Sequence, residues 1–309
     1  MSTESTILLA RQLTVARESG RSLSSVAAGV WALTKPEINV LIAITVSLSF
    51  CLASSPVWDF PFLQLFHTVL GTILVSSGAA ALNQLMERRF DGRMRRTARR
   101  PVVLGAVSSQ VAFIFGTTAS AVGIVYLYIC VNPISSFFAA ASLGIYLGLY
   151  TPLKRMTPLC TLVGAFSGAV PPLIGWSAAA GRLEYGAWIL YAILFLWQFP
   201  HFMAIAWMYR EDYDRAGYRI LPRSSDRHQF VAVQSALPAM LLVPCTMIPS
   251  FIGLTGDIYL AGTSLLGIVF GYQAVRLTFD RSNSAARRLL FASIIYLPAV
   301  FLLLALDKR

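Results

Sequence analysis

The sequence has little charge. Only 13% of its 309 residues are Asp, Glu, Lys or Arg, whereas 56% are hydrophobic. Soluble domains usually contain about 25% charged residues, so this composition excludes an ordinary soluble protein. A helix needs roughly 20 mainly apolar residues to cross a bilayer, because lipid offers the backbone no hydrogen-bond partner. Long uncharged runs of this kind recur along the chain and predict an integral membrane protein.

Cysteine is also scarce, and its positions exclude cysteine chemistry. All four cysteines fall in apolar segments, and no two of them are close in sequence. Such spacing indicates neither a disulfide framework nor a cysteine metal site. We interpret these residues as packing residues: Cys51, Cys130, Cys160 and Cys245.

The uncharged runs predict an all-α fold with nine transmembrane helices. A turn at "VNP" divides the longest run, which is too long for one span. The predicted helices lie near residues 38–54, 65–86, 108–130, 134–150, 158–180, 185–208, 229–252, 258–276 and 288–306.

The helices are predicted to form a single domain, because no hydrophilic linker separates two modules. This membrane domain covers residues 31–309. Residues 1–30 contain no apolar core long enough for a secretory signal. We expect them to form a cytoplasmic N-terminal segment that is either disordered or lies on the membrane surface.

Positive charge is concentrated in alternate loops. With nine spans and a cytoplasmic N-terminus, one side of the membrane holds 22 of the 25 Lys and Arg. Positive residues favour the cytoplasmic side, so this pattern predicts that orientation. The net charge of +11 then faces anionic lipid headgroups, and no nucleic-acid partner is needed to explain it. The expected location is a bacterial inner membrane, with the mitochondrial inner membrane as the alternative.

The densest charged segment follows the second predicted helix, in "NQLMERRFDGRMRRTARRP". Asn83, Glu87 and Asp91 are spaced four residues apart, so a helix places them on one face. Mg²⁺ prefers oxygen ligands of this kind and commonly binds one or two carboxylates together with substrate phosphates. Arginine suits phosphate oxygens, and five arginines follow: Arg93, Arg95, Arg96, Arg99 and Arg100. The combination predicts a diphosphate site, and the alternative is a solvated loop whose charges only set topology.

Two further segments could complete such a site. Glu211 and Asp212, with Asp214 nearby, follow the sixth predicted helix and could supply a second metal site across the bundle. "YTPLKRMTP" presents Lys154 and Arg155, either as a turn with topology-setting charges or as a clamp on a leaving diphosphate. The prolines of "GAVPPLIGW" are expected to kink the fifth helix.

One histidine lies within a predicted helix beside a proline and aromatics, in "WQFPHF". His201 has two interpretations: a packed, hydrogen-bonded residue, or a contact or axial ligand for a porphyrin iron, since imidazole suits iron.

These motifs together resemble a known family. "NQLMERRFDGRMRRTARRP", "YTPLKR", "VGAFSGAVPPLIGW", "WQFPHF" and "REDYDRAGY" occur in an order and at separations similar to the UbiA-type membrane prenyltransferases, specifically the protohaem IX farnesyltransferase (haem O synthase) branch. "LTKPEIN" is similar to the start of that family's first helix, and the resemblance covers residues 33 to about 225. It implies nine helices around a central cavity. It also implies Mg²⁺-dependent transfer of a farnesyl group from farnesyl diphosphate to a vinyl group of haem b.

The resemblance also implies roles for particular residues. Those implied to be catalytic are Asn83, Asp91, Lys154 and Asp212. Those implied to bind metal are Asn83, Glu87, Asp91, Glu211 and Asp212. Those implied to bind substrate are Arg95, Arg96, Arg99, Arg155 and His201. Aromatic residues that could line the cavity and stabilise a cation are Tyr146, Tyr150, Trp176 and Trp197.

Two alternatives keep parts of this interpretation. The first is a UbiA-type enzyme with a quinone or other aromatic acceptor, against which Tyr209 and Tyr213 argue, because quinone-type relatives have acidic residues there. The second is a membrane transporter, for which ionisable groups deep within several helices would be typical. Here the acids cluster at helix ends, which favours an enzyme. Expected partners are the lipid bilayer and a haem A synthase or oxidase assembly factors.

Overall fold

The computed structural model describes residues 23–54, 60–223 and 226–309. Within these ranges the regular structure is helical, apart from one isolated β-bridge between Thr255 and Lys308. Nine helices in this part of the chain are long and apolar enough to cross a membrane. They are α1 Pro36–Ala53, α2 Phe62–Asp91, α3 Ser109–Cys130, α4 Pro133–Leu153, α5 Cys160–Ala180, α6 Tyr185–Met208, α7 Arg227–Phe251, α8 Asp257–Phe279 and α9 Asn283–Leu306.

The predicted all-α fold and its nine helices are confirmed, with boundaries that differ by a few residues. The largest difference that bears on function is at the end of α2. This helix continues to Asp91 instead of ending near residue 86, so its charged end is still helical. Most of the predicted N-terminal segment, residues 1–22, lies outside the described residues. The short helix Leu23–Leu33 packs on α2, where Gln84 Nε2 donates to the carbonyl of Leu33 at 3.0 Å.

Contacts between loops show that the alternate loops meet at one end of the bundle. The backbone N–H of Arg219 donates to the carbonyl of Lys154 at 2.7 Å. Trp207 Nε1 donates to the carbonyl of Arg281 at 3.2 Å. We call this the basic end. At the opposite end, Lys308 Nζ donates to the carbonyl of Cys51 at 2.6 Å. This contact joins the C-terminal end of α1 to the residues that follow α9.

Small residues allow α2 and α3 to pack closely. A Cβ added at Gly78 would lie 2.5 Å from the carbonyl oxygen of Gly116, and one at Gly123 would lie 2.8 Å from the backbone nitrogen of Val75. In lipid, helices associate through such close backbone approach, because burying apolar surface offers no advantage over contact with the acyl chains. This packing fixes α2, which carries most of the predicted site.

Helix α5 is broken where the two prolines predicted a kink. It consists of Cys160–Gly168 and Pro171–Ala180. Pro171 has no N–H to donate to the carbonyl of Ser167, and Ser142 Oγ from α4 donates to that carbonyl at 3.0 Å. Ser49 Oγ of α1 similarly donates to the carbonyl of Pro172 at 2.6 Å. Neighbouring helices therefore satisfy the backbone that the break exposes, as lipid requires.

The most extensive apolar core joins α5 and α6 to α7, α8 and α9. The rings of Phe270 and Tyr296 stack there with centroids 4.8 Å apart, and both side chains are buried. The charged segment that follows α6 is thus anchored to this apolar core.

We expect Gly78→Ala to weaken the α2–α3 contact, because the new Cβ overlaps the backbone of α3. Overpacking typically costs about 1–3 kcal/mol. The thermal unfolding midpoint of the protein in detergent should therefore fall. The matched control is Gly271→Ala in α8, where an added Cβ meets nothing within 4 Å. An unchanged midpoint for Gly78→Ala would show that α2 and α3 do not depend on this close approach.

Candidate active site

The last turns of α2 bury three polar side chains on one helix face. Asn83, Glu87 and Asp91 are 1%, 6% and 2% exposed. The spacing of four residues predicted this shared face, and the extension of α2 to residue 91 creates it. Buried carboxylates are strongly unfavourable unless they are paired or bind a metal.

Two cations pair with the buried carboxylates. Lys154 Nζ donates to Glu87 Oε1 at 2.6 Å. Arg100 Nη1 donates to Asp91 Oδ2 and lies 3.8 Å from Glu87 Oε2. Lys154 comes from the end of α4 and Arg100 from the loop after α2, so two distant segments converge on one helix face. These four side chains form what we call the ion-pair cluster.

The end of α4 is shaped by a π-helical segment, Ile145–Tyr150. Pro152 follows it and lacks the N–H that a continuing helix needs. Thr151 Oγ1 donates to the carbonyl of Tyr146 at 2.8 Å and accepts from Asn83 Nδ2 at 3.1 Å. Such π segments often occur at functional sites. Here the segment connects α4 directly to the amide at the start of the α2 polar face.

The same segment places two aromatic rings beside the ion-pair cluster. Tyr146 and Tyr150 are half-buried, with ring centroids 5.5 Å apart. Lys154 Nζ lies 4.4 Å from the centroid of Tyr150 and 6.0 Å from that of Tyr146. Aromatic faces attract cations at these distances.

Opposing effects determine the charge of Lys154. Burial favours its neutral amine, but the adjacent Glu87 carboxylate favours the ammonium, and the net effect raises the pKa of Lys154 above its ordinary value. The side chain therefore stays positively charged at neutral pH.

The second acidic segment forms a short helix, Arg210–Ala216, directly after α6. Asp212 is buried, with 8% exposure, and Oδ2 accepts from the backbone N–H of Arg95 at 3.1 Å. Arg215 pairs with the other oxygen, Oδ1. Arg95 belongs to the loop that leaves α2, so Asp212 contacts the first charged segment directly. The two acidic segments therefore lie at the same end of the bundle.

Aromatic packing reinforces this contact. Tyr218 is buried, and its ring lies 5.9 Å from those of Phe90 and Tyr213. Arg96 Nη2 donates to Tyr213 Oη at 3.2 Å, and the Arg155 guanidinium lies 4.1 Å from the centre of the Phe90 ring. Arg96 and Arg155 thus border the ion-pair cluster without pairing with its acids.

The structure does not place every predicted residue in this arrangement. Glu211 and Arg99 are exposed at the basic end. Asp214 pairs with Arg227 through both carboxylate oxygens, at 2.8 Å and 3.1 Å, so it joins this helix to the start of α7. In the described part of the chain, no three His, Cys, Asp or Glu side chains converge closely enough to bind a metal.

Two cationic residues of the site were not predicted from the sequence. Arg100 was grouped with its neighbours, although it alone among them contacts Asp91 and Glu87. Lys35 precedes α1 and is close enough to the ion-pair cluster for its charges to act on it. Burial, with the repulsion of Arg100 and Lys154, lowers the pKa of Lys35 to about 7. The sequence signal available was a single lysine immediately before the first span.

Lys35 also has an unusual backbone. Its φ of 51° makes it the one non-glycine residue in the described ranges with a positive φ. This conformation is uncommon for residues with a Cβ and costs on the order of 1–3 kcal/mol. The turn places the ammonium beside the ion-pair cluster, where no carboxylate of the described residues forms an ion pair with it.

His201 occupies a separate position between α6 and α9. Its Nδ1 lies 2.8 Å from Ser293 Oγ, and its ring stacks on Trp197 with centroids 4.7 Å apart. Ser293 Oγ donates its single proton to the carbonyl of Leu290 at 2.6 Å, so it must accept from His201 Nδ1–H. The neutral imidazole then carries its free lone pair on Nε2.

The predicted aromatic residues are divided between these positions. Tyr146 and Tyr150 adjoin the ion-pair cluster. Trp197 supports His201 and donates from Nε1 to the carbonyl of Ser293 at 2.9 Å. Trp176 is buried in α5, where its ring packs against Gly186 of α6. Only the two tyrosines are thus close to the charged residues.

Comparison with known proteins identifies the family. Residues 40–295 match the UbiA prenyltransferase family, so the chain belongs to that family and is a membrane prenyltransferase. This membership favours an enzyme over the transporter alternative.

Comparison with individual members of the family shows which branch of it the chain resembles. The chain is 44% identical over 283 residues to the protoheme IX farnesyltransferase of Solibacter usitatus, covering 89% of this chain and 97% of the relative. It is 41% identical to that of Opitutus terrae, covering 89% and 93%. Within the family, the chain therefore groups with the protoheme IX farnesyltransferases.

Solved structures share the fold at low sequence identity. A digeranylgeranylglyceryl phosphate synthase matches with a TM-score of 0.76 and 15% identity, covering 91% of this chain and 98% of the other. A UbiA homologue from Archaeoglobus fulgidus bound to GPP and Mg²⁺ matches with a TM-score of 0.62 and 15% identity, covering 90% and 99%.

We expect Lys35→Gln to weaken the binding of inorganic pyrophosphate at pH 6 in the presence of Mg²⁺. At that pH, below the lowered pKa of Lys35, the substitution removes an ammonium that forms no ion pair with a carboxylate of the described residues. The affinity should fall at least about fivefold, which corresponds to roughly 1 kcal/mol. Isothermal titration calorimetry measures the change. Lys308→Gln, at the opposite end, is the control and should bind as the unmodified protein does. Equal affinities for both variants would place Lys35 outside the anion site.

Proposed function

We propose that the chain transfers the farnesyl group of farnesyl diphosphate to a vinyl group of haem b, giving haem O, in a Mg²⁺-dependent reaction. The observation that carries this proposal is the convergence of two acidic segments with buried cations at the basic end. The relatives' names support the farnesyl donor and the haem acceptor. A quinone acceptor has no comparable support.

The chemistry of the oxygen donors suits Mg²⁺, which would have to draw them together, since no three acidic side chains of the described residues converge here. Asn83, Glu87, Asp91 and Asp212 offer amide and carboxylate oxygens, which this ion prefers. The carboxylates of Glu87, Asp91 and Asp212 each pair with a lysine or arginine. Negative and positive charges at this end of the bundle therefore already offset each other. Bound Mg²⁺ would neutralise charge that develops on the leaving diphosphate. Glu211, which is exposed, would be at most a peripheral ligand.

The chain's own cations would bind the diphosphate. Lys154 and Arg100 can exchange part of their contact with Glu87 and Asp91 for phosphate oxygens, and Lys35 lies nearby without an ion pair. Arg95, Arg96, Arg99 and Arg155 would add positive charge around them. When the bond between C1 of the farnesyl group and the diphosphate oxygen breaks, the electron pair stays on the oxygen. Positive groups already in place stabilise that charge without reorganising.

The farnesyl cation would then be stabilised by aromatic faces. Tyr146 and Tyr150 present half-buried rings beside the ion-pair cluster. The π electrons of a haem vinyl group would form the new bond to C1. Water would add to the resulting cation and lose a proton, which leaves a hydroxyl group. Water must be excluded until that step, because it would otherwise quench the farnesyl cation.

His201 is proposed to contact the haem. Its hydrogen bond to Ser293 orients the ring and leaves the lone pair on Nε2, the arrangement that histidine ligands of iron commonly use. Trp197 stacks on the ring and restricts its rotation.

We further propose that the protein lies in a bacterial inner membrane with the basic end in the cytoplasm. The distribution of Lys and Arg and the bacterial relatives support this location. Haem O would then pass to a haem A synthase or to oxidase assembly factors.

Asp91→Asn and Asp212→Asn are each expected to lower haem O formation at least about a hundredfold, because a neutral amide weakens both metal binding and the cation contacts. Purified variants would be incubated with haem b, farnesyl diphosphate and Mg²⁺, and the porphyrin product measured by mass spectrometry. Asp214→Asn is the matched control, since Asp214 pairs with Arg227 instead. Near-normal activity in both test variants would refute the assignment of these carboxylates.

Ser293→Ala should weaken haem b binding roughly tenfold, because loss of the residue that orients a metal-binding histidine typically has an effect of this size. His201→Ala should weaken it at least as much and change the Soret band. Spectral titration measures both. His67→Ala is the control, since His67 hydrogen-bonds to Tyr126 in another part of the bundle. Unchanged haem spectra in the His201→Ala variant would show that His201 is a packing residue.

A further inference from the structure

A groove between α8 and α9 lies apart from the ion-pair cluster. It encloses a cavity of about 590 Å³ and reaches the end of α8 and the start of α9, next to the basic-end loop. Its lining includes Gln273, Arg287 and Arg288 at the loop end and Val269, Phe291 and Ile295 further along the helices. Neither the proposed prenyl transfer nor the packing of the two helices accounts for this space.

The deeper part of the groove is apolar. Leu266 and Val269 of α8 face Phe291 and Ile295 of α9 across the cavity. From Arg288 to Ile295 the groove follows α9 for seven residues, or about 10 Å at the rise of an α-helix. Val269, Phe291 and Ile295 are also exposed, so the groove opens toward the lipid-facing side of the bundle. An open apolar groove of this kind suits a hydrocarbon chain.

The end of the groove near the loop is polar and positive. Arg287 is exposed and pairs with no carboxylate in the described residues. Arg288 pairs with Asp280 at 3.0 Å, but its Nε is buried without a hydrogen-bond partner. Gln273 Oε1 is also buried and unpartnered. These polar atoms and the exposed guanidinium of Arg287 make this end of the groove polar, in contrast to its apolar deeper part.

We propose that this groove binds one anionic phospholipid, with its phosphate on Arg287 and Arg288 and one acyl chain between α8 and α9. Charge selects this ligand, because Arg288 is already balanced by Asp280 and the groove has a net charge of about one positive unit. A singly charged phosphodiester matches that charge. A prenyl diphosphate carries more negative charge and would need carboxylates and a metal ion, which the groove residues do not include.

The proposal does not depend on the prenyl-transfer function. It requires only that α8 and α9 cross a membrane and that their shared loop lies at the headgroup layer. Arginines near a membrane surface attract anionic lipid by about 1 kcal/mol each, and the groove adds an apolar contact that a flat surface lacks.

The test is lipid retention measured by native mass spectrometry. Protein in detergent would be mixed with dioleoyl phosphatidylglycerol or dioleoyl phosphatidylethanolamine at equal concentrations. The unmodified protein should keep one phosphatidylglycerol and little phosphatidylethanolamine. The double variant Arg287→Gln, Arg288→Gln should retain at least roughly fivefold less phosphatidylglycerol than the unmodified protein. Arg276→Gln is the matched control, because this exposed arginine is at the same end but does not line the groove.

A second variant tests the apolar part without changing charge. Ala292→Phe fills the groove and should remove the bound lipid, whereas Ile268→Phe, on the exposed surface beside it, should not. Three results would each overturn the proposal: equal retention of both lipids, an equal loss in Arg276→Gln, or lipid still bound to Ala292→Phe. Displacement of phosphatidylglycerol by farnesyl diphosphate would also overturn it, because the groove would then bind the prenyl donor.

Discussion

The pairing of buried carboxylates with cations from other helices is the interaction on which this site depends. Glu87 and Asp91 are buried in the last turns of a spanning helix, where an uncompensated negative charge would be strongly unfavourable. Lys154 and Arg100 remove that cost, and each comes from a different segment. The ion-pair cluster therefore does more than balance charge. It holds the end of α4 and the loop after α2 at fixed positions relative to the polar face of α2.

Irregular helices bring these segments together. The π-helical segment in α4 and the broken helix α5 both leave backbone carbonyls that side chains satisfy: Thr151 of α4 itself in the first case, and Ser142 of α4 in the second. Regular helices would leave Tyr150 and Lys154 at other angles. The bundle thus tolerates local irregularity where it forms the site, while close packing of α2 on α3 keeps the regular part rigid.

Much of the fold could be predicted from the sequence, because spanning helices require long uncharged runs and charged loops alternate. The shared face of Asn83, Glu87 and Asp91 followed from helical spacing alone. The pairing of Arg100 with Asp91 could not be predicted, since the chain between them is a series of turns with no fixed period. Lys35 was missed for a related reason: its position depends on one left-handed residue, and local sequence does not favour that conformation. Glu211 and Asp212 look equivalent in sequence, but the helix Arg210–Ala216 buries only one of them.

The pairing has a consequence for the order in which ligands load. A divalent ion arriving alone would have to displace an ammonium and a guanidinium from the carboxylates, and both would then be left near the ion without a counter-charge. A diphosphate that arrives already complexed with the ion brings oxygens for those two cations, so the exchange conserves the number of opposite-charge contacts. Under the proposed function, the ion pairs would therefore favour loading of the diphosphate together with its divalent ion over loading of the free ion.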